Sequence, residues 1–457
     1  MRTSLILLSC VACASCVLGP QPGTPETPVP GSIRGDSAPH GASFGNKAWR
    51  QVFTDSTLRS LIERALENNP DLVAATYRIE QARAQAIGAR SGWFPRLDGS
   101  AGASRDRNPA LTIGGGGDWA TYDIGGALSW ELDVWGGIRR SNEAARARLL
   151  EAGYRRDAVQ TSLVAAVATA YIQLRNLDER LAISQRTVQS RQASLDLVTS
   201  RRDGGVSSDL EVGQAEALLG QARTAIPVTR QATAAKENEI RALLGDFPAS
   251  VARGGGLESL DSKVGIMAGL PSDLLARRPD IAAADQAYQA AVAGIGVAEA
   301  LRFPSLSLTG SGGVLSRELD NLLKRDSTTW SIGGRIAGPI FDAGLNQSRT
   351  EAARALAKEA LADHDRAVKQ AFREAANAID AHAKTGEIIT EQSRLVEANR
   401  KVARVASDRF EGGESSYLEV LDAERSLFES ELALADARAN RLLAVVEAYR
   451  ALGGGWK

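Results

Sequence analysis

The 457-residue chain has few of the side chains from which reactive sites are made. Its three cysteines, Cys10, Cys13 and Cys16, all fall in the first sixteen residues, so the remainder can form no disulfide. Three scattered histidines (His40, His364 and His382) argue against a histidine-based metal site or catalytic triad. Two methionines, one of them the first residue, argue against a copper-handling surface. No phosphate loop, dinucleotide fingerprint or nucleophile–base pair can be read. The run Gly114 to Gly117 is expected to be a flexible loop, because it lacks the following Lys-Ser/Thr and helix of a phosphate cradle. The 54 basic and 55 acidic residues cancel, so charge gives no reason to expect a nucleic-acid partner. Aromatics are scarce, at 5%, although 44% of the chain is apolar. Much of that apolar fraction is alanine and leucine, residues of long helices packed closely together.

Long apolar runs are also missing. The run Leu5 to Ala12 is too short to cross a membrane as a helix. Placed after Arg2 and ahead of small residues, it reads as a secretory signal peptide. Ala14-Ser15-Cys16, followed by the Pro/Gly/Thr-rich stretch Pro20 to Gly31, resembles a bacterial lipoprotein signal. That resemblance implies that Cys16 becomes the lipidated first residue of the mature chain. Cys13 stands where such signals usually carry leucine and is itself a second candidate, and the other reading is a soluble secreted protein cut nearby.

What the chain does contain is a copy of itself. Asn69-Pro70-Asp71-Leu72 returns as Arg278-Pro279-Asp280-Ile281, and Phe94-Pro95-Arg96-Leu97 returns as Phe303-Pro304-Ser305-Leu306. Gly204 to Val212 returns as Gly412 to Val420, and every match is offset by 208 or 209 positions. A half-chain recurring in order implies two equivalent structural units, a common way to build a ring or tube.

Two stretches, Arg139 to Arg202 and Asn346 to Phe410, contain no proline and one interior glycine each, Gly153 and Gly386. Leu361, Val368, Phe372, Ala375 and Ile379 recur at coiled-coil spacing. Each stretch predicts a helix far longer than is usual in a globule. Each ends at a Gly-Gly pair, Gly204-Gly205 and Gly412-Gly413, suited to a left-handed cap. Ser207 or Ser208, and Ser415 or Ser416, then stand where the returning helix needs an N-cap. The returning helices are predicted over about 209–245 and 416–452, with a kink or local break at Pro227.

Other segments alternate with period two. Leu97 to Ser104, Tyr122 to Leu132, Pro304 to Ser311 and Trp330 to Ile336 set apolar side chains against small and polar ones. A membrane β-barrel requires that pattern, although a half-buried soluble sheet shows it too. The connecting loops are expected over Arg105 to Ala120 and Gly312 to Thr328. Four strands cannot close a barrel, and an open edge cannot face lipid. Twelve strands from three chains leave room for a channel, whereas eight from two would be filled by side chains.

Five motifs in order now carry a resemblance: Trp130-Glu131-Leu132-Asp133, Gly269 to Ile281, Phe303-Pro304-Ser305-Leu306, Leu421 to Phe428, and Ala451 to Trp456. From about residue 45 onward the chain resembles the outer-membrane factor family of tripartite efflux pumps, TolC-like, in its OprM/NodT lipoprotein branch. The resemblance implies an α+β membrane protein and a homotrimer. Four β-strands per chain would contribute to a twelve-stranded outer-membrane β-barrel, continuous with a long α-helical periplasmic barrel. The expected organisation is a signal over 1–15, a lipidated (palmitate-bearing) linker over 16–45, repeats over 46–245 and 271–457, and an equatorial linker over 246–270. The β-hairpins are placed at 94–135 and 303–341, and the helical tips at 203–208 and 411–416. Function would be that of a passive, non-enzymatic exit duct for drugs or other small molecules, without cofactor or metal. It would be anchored in outer-membrane lipid and extend into the periplasm. Protein secretion or metal efflux through the same fold is the alternative. Partners implied are a periplasmic adaptor and an RND-type inner-membrane transporter. At the tip, the resemblance assigns a gate to Asp422 and Leu418, with Arg425 one turn on as a latch. Adaptor docking falls to Gly204, Gly205, Ser207, Ser208, Gly412, Gly413, Ser415 and Ser416.

Overall fold

A computed structural model describes residues 17–25, 27–34, 44–108, 117–260 and 271–454. Cys10, Cys13, Cys16 and Gly114 to Gly116 lie outside the described residues. Each half supplies the same series of elements. In the first are α1 (Ser56–Asn68), α2 (Pro70–Ser91), β1 (Arg96–Asn108), β2 (Gly117–Leu132), α3 (Gly137–Asp203) and α4 (Asp209–Leu243). In the second are α5 (Pro271–Arg277), α6 (Pro279–Ala300), β3 (Ser305–Ser316), β4 (Thr328–Ala337), α7 (Leu345–Glu411) and α8 (Tyr417–Ala451). The long helices α3 and α7 have 67 residues each, and the returning helices α4 and α8 have 35 each. At 1.5 Å per residue, α3 and α7 are each about 100 Å long.

Duplication extends to single contacts. Asn69 caps α2, its Oδ1 accepting from the Asp71 and Leu72 amides, while its Nδ2 donates to the Leu243 carbonyl at 2.9 Å. At the matching position, buried Arg278 donates to both Asp280 oxygens, to Glu374 at 2.9 Å and to the Ala451 carbonyl at 3.0 Å. Both side chains thus tie the start of one helix to the end of a returning one. The glycine after each returning helix is in the left-handed region, Gly245 and Gly453 both at φ +74°. A Cβ on Gly245 would lie 2.5 Å from the Asn68 carbonyl oxygen, and one on Gly453 would lie 3.1 Å from Arg277.

Pro227 does not break α4, which runs unbroken from Asp209 to Leu243. Proline lacks the N–H that would bond the Arg223 carbonyl, and its ring crowds that carbonyl. Arg223 and Pro227 are both exposed, so the carbonyl left without a partner can bond water.

Packing divides the chain into two compact units that each draw on both sequence halves: Met1–Glu26, Arg78–Gly153 and Ala283–Asp365; and Thr27–Tyr77, Tyr154–Ala282 and Arg366–Lys457. The second unit contains the larger core, including Ile62, Val167, Tyr171, Leu174, Ile240, Val446, Tyr449 and Leu452. The Tyr171 hydroxyl accepts from the Gly254 amide at 2.7 Å.

The first unit holds the sheet, antiparallel throughout, in the order β1-β2-β3-β4. Its register sorts the faces. Leu97 pairs with Leu128, Leu128 with Gly310 and Gly310 with Ile332. Across the next rungs of that face Trp130 meets Leu308, Leu306 meets Ile336, and Ile124 meets Val314. The other face carries Asp98, Ala127, Ser311 and Ser331 in one row, and Glu131, Ser307 and Arg335 in another. Ser311 and Ser331 are hydrogen-bonded at 2.7 Å. One face is therefore apolar and the other polar, as lipid outside and water inside demand.

Both hairpins have longer strands and shorter loops than the alternation predicts. β1 and β2 continue to the pair Asn108 and Gly117, and Gly117 is the first residue of β2. β3 continues to Ser316 and β4 starts at Thr328. Beyond Ser104 the side chains are Arg105, Asp106, Arg107 and Asn108, so both faces are polar and the period-two signal fades while the backbone ladder goes on. Cross-strand charge replaces apolar pairing there, Arg107 lying 3.4 Å from Asp118.

Candidate functional site: the two helical tips

Each tip is a helical hairpin closed by a Schellman cap. At the end of α3, the Gly205 amide donates to the Arg202 carbonyl and the Val206 amide to the Arg201 carbonyl, both at 2.8 Å. At the end of α7, Gly413 donates to Phe410 at 3.0 Å and Glu414 to Arg409 at 2.8 Å. Gly205 and Gly413 adopt φ +76° and +77°, which explains the second glycine of each pair. The first glycines have no such need: a Cβ on Gly204 or Gly412 would meet nothing closer than 3.5 Å.

The serines divide by role. Ser208 caps α4 in a capping box, accepting from the Glu211 amide while Glu211 accepts from the Ser208 amide at 2.8 Å. Ser416 holds the same place before α8 but makes no side-chain cap. Its reciprocal partner Glu419 instead lies 3.5 Å from Arg409. Ser207 and Ser415 are not the caps, and among the described residues the buried Ser415 Oγ has no hydrogen-bond partner.

A small core holds the tips together: Val198, Val212 and Ala215 from the first hairpin with Ala406, Phe410, Tyr417, Val420 and Ala423 from the second. Arg201 crosses between them, its Nη1 donating to the Phe410 and Glu411 carbonyls at 3.1 and 3.0 Å and its guanidinium lying over the Phe410 ring. Phe410 and Tyr417 pack with ring centroids 5.2 Å apart. Burial pushes the Tyr417 phenol up to about 12.

Sequence reasoning passed over a buried charge pair in the shafts just behind. Arg191 of α3 is 2% exposed, donates to the Leu218 carbonyl at 2.7 Å and stands 3.9 Å from Glu424 of α8. Ser194 donates to Glu424 at 2.8 Å. Burial raises the Glu424 carboxyl above its ordinary range, partly opposed by Ser194 and Arg191. Burial also lowers Arg191 somewhat. Glu424 lies within the Leu421 to Phe428 motif, but nothing in the sequence couples it to Arg191.

Asp422 and Arg425 are brought together within one chain, Arg425 donating to Asp422 at 2.6 Å on the exposed side of α8. Leu418, one turn earlier, is 63% exposed although its neighbours Tyr417 and Val420 are buried. The three lie on one helical stripe at i, i+4 and i+7.

The model of the family described as outer membrane efflux protein matches residues 61–246 and 270–454. The chain belongs to the outer membrane efflux protein family. Among its relatives are SepC of Pseudomonas putida, a probable efflux pump outer membrane protein 36% identical over 416 residues, covering 89% of this chain and 85% of the relative. OprJ of Pseudomonas aeruginosa is 34% identical over 456 residues, covering 98% and 95%. Among solved structures, the outer-membrane channel OprN superposes with a TM-score of 0.90 at 32% identity, over 96% of this chain and all of that one. The open state of Neisseria gonorrhoeae MtrE gives 0.86 at 31% identity, over 97% and 99%. This outer membrane efflux protein thus has the fold expected of it: a long helical barrel part and a β part, as in those outer-membrane channels. It is an efflux channel of the outer membrane, extending into the periplasm.

Proposed function

We propose that three copies of this chain form a passive exit duct that expels small organic molecules, gated at the periplasmic tip by Asp422, Leu418 and Arg425. The observation that carries this is the open sheet. β1 pairs with β2 alone and β4 with β3 alone among the described residues, while the apolar face bears exposed Leu97, Trp330, Ile332 and Ile336. Lipid offers the free edges of β1 and β4 no hydrogen bonds, so another copy must supply them. Three copies give twelve strands and a lumen. The Leu418–Asp422–Arg425 stripe is exposed among the described residues and is free to meet its copies around a threefold axis. Carboxylates gathered there repel one another and favour cations, and Arg425 latches them closed.

The clients are small organic molecules by analogy with the toluene and antibiotic efflux pump proteins TtgF and ArpC. An RND-type inner-membrane transporter supplies the energy, and a periplasmic adaptor docks on the tips. Gly204 and Gly412 support docking, since bare backbone that the turn does not need leaves room for a partner's close approach. Lipidation at Cys16 completes the anchor.

Single-channel conductance in planar bilayers tests this, using protein of trimeric mass in detergent. The wild type gives a small cation-selective conductance that rises in both Asp422→Ala and Arg425→Ala. A trimeric pore indifferent to both changes moves the gate to Leu418, and a monomer without conductance overturns the duct.

A further inference from the structure

The described chain begins at Val17, and its first three residues lie in a seat built from three elements. The Leu18 amide donates to the Trp135 carbonyl at 3.2 Å. Arg140, 3% exposed, donates from Nε to the Leu18 carbonyl and from Nη2 to the Gly19 carbonyl, both at 3.1 Å. Its third nitrogen is held by Glu143 at 2.7 Å. A guanidinium that is buried and given to two backbone carbonyls of one short segment fixes that segment in place.

Glycines make the room. Gly19 has φ +81°, and a Cβ on it would lie 2.6 Å from the Gly296 Cα. A Cβ on Gly296, inside α6, would lie 2.6 Å from the Leu18 carbonyl oxygen and 2.7 Å from Arg140 Cγ. Gly136, at φ +75°, leaves 3.0 Å to the Val17 Cα. The neighbourhood is aromatic: Trp135 stacks on Phe303 with centroids 4.8 Å apart and donates to the Pro304 carbonyl, and Trp130 donates to the Trp93 carbonyl. Indoles whose N–H is satisfied at the foot of a membrane sheet mark the level where lipid meets water.

We infer that residues 17–19 and the Arg140–Gly296 seat form an intramolecular receptor that sets where the acylated N-terminus enters the lipid. This rests on the lipidation reading and deepens it to Cys16. Successive Cα atoms are about 3.8 Å apart, so an acyl-bearing residue 16 is held to the seat by one peptide unit. Acylation at Cys13 would place three more residues, up to roughly 10 Å of extended chain, between the lipid and the seat.

The experiment uses the full-length chain, processed in the bacterial envelope and purified in detergent. Mass spectrometry of the N-terminal fragment identifies the acylated residue, and residue-resolved hydrogen exchange follows the Leu18 amide. Acyl groups on Cys16 with a slowly exchanging Leu18 are expected. Exchange accelerates by roughly tenfold or more in Arg140→Gln and Gly296→Ala. Alanine suits a helix interior, so Gly296→Ala keeps the fold even where Arg140→Gln fails to. Gly294→Ala, whose Cβ meets nothing within 4 Å, leaves the exchange unchanged. Acylation at Cys13, or none, beside a slow Leu18 overturns the lipid reading and with it the inference. Acylation at Cys16 with Leu18 already fast, or unmoved by Gly296→Ala, overturns the seat and leaves lipidation standing.

Discussion

Arg191 and Glu424 show what a single buried contact can do in this molecule. Arg191 is buried and Glu424 nearly so, and among the described residues Glu424 Oε2 together with Arg191 Nε and Nη2 lacks a hydrogen-bond partner. Because burial raises the Glu424 carboxyl, a pH window exists in which the folded chain holds the proton and the unfolded chain does not. Within it, stability falls as pH rises; the contribution is complete below the unfolded value and is lost as pH climbs through the folded one. Removing the guanidinium sharpens this. Arg191→Met is expected to destabilise the tip at neutral pH by about 3 kcal/mol, the cost of an unpaired buried carboxylate. That deficit shrinks on acidification, once Glu424 is neutral. Protection factors of the α3 and α8 amides at two pH values measure both effects, and a deficit independent of pH would assign the loss to packing alone. None of this was legible in the sequence, since residues 191 and 424 are in different halves and no periodicity couples them. Asp422 and Arg425 could be read because a single helix brings them together.

At the level of elements, the sequence showed most where geometry leaves a residue little choice. Gly205 and Gly413 are forced by a left-handed cap, and the spacing of the pairs located both tips. Which glycine of each pair is structural needed coordinates. Gly205→Ala is expected to cost about 1 kcal/mol of hairpin stability, from a side chain placed in the left-handed region. Gly204→Ala costs nothing measurable in chemical denaturation, yet weakens adaptor binding in a pull-down. Equal effects of the two on stability would remove the argument that Gly204 is kept for a partner. Pro227 shows the opposite failing. Local propensity predicted a kink or a local break, but α4 runs unbroken through the proline, with Ala222 and Thr229 buried on either side of it. The strand ends failed for a third reason: the alternation reports the solvent on each face, and the ladder outlasts the change of solvent.

For the whole molecule the decisive quantity is the two-faced sheet, since its register determines what each residue meets when copies close the barrel. Ile332 and Ser331 are adjacent on β4 and point to opposite faces: Ile332 pairs across to Gly310 on the apolar side, and Ser331 to Ser311 on the polar side. Ile332→Lys places an ammonium in lipid, at a cost of roughly 2–4 kcal/mol per strand if the residue lies near the midplane. Three copies multiply that cost, so trimers resistant to dodecyl sulfate should be lost and the chain should fail to integrate. Ser331→Lys places the same charge in the lumen, where water solvates it. Trimers should form as in the wild type, and the pore should shift toward anions in reversal-potential measurements under a salt gradient. Reversed outcomes, with Ile332→Lys assembling and Ser331→Lys failing, would mean that the polar face meets lipid, which the period-two pattern forbids. Equal failure of both would show that neither face borders water and that the sheet closes without a lumen.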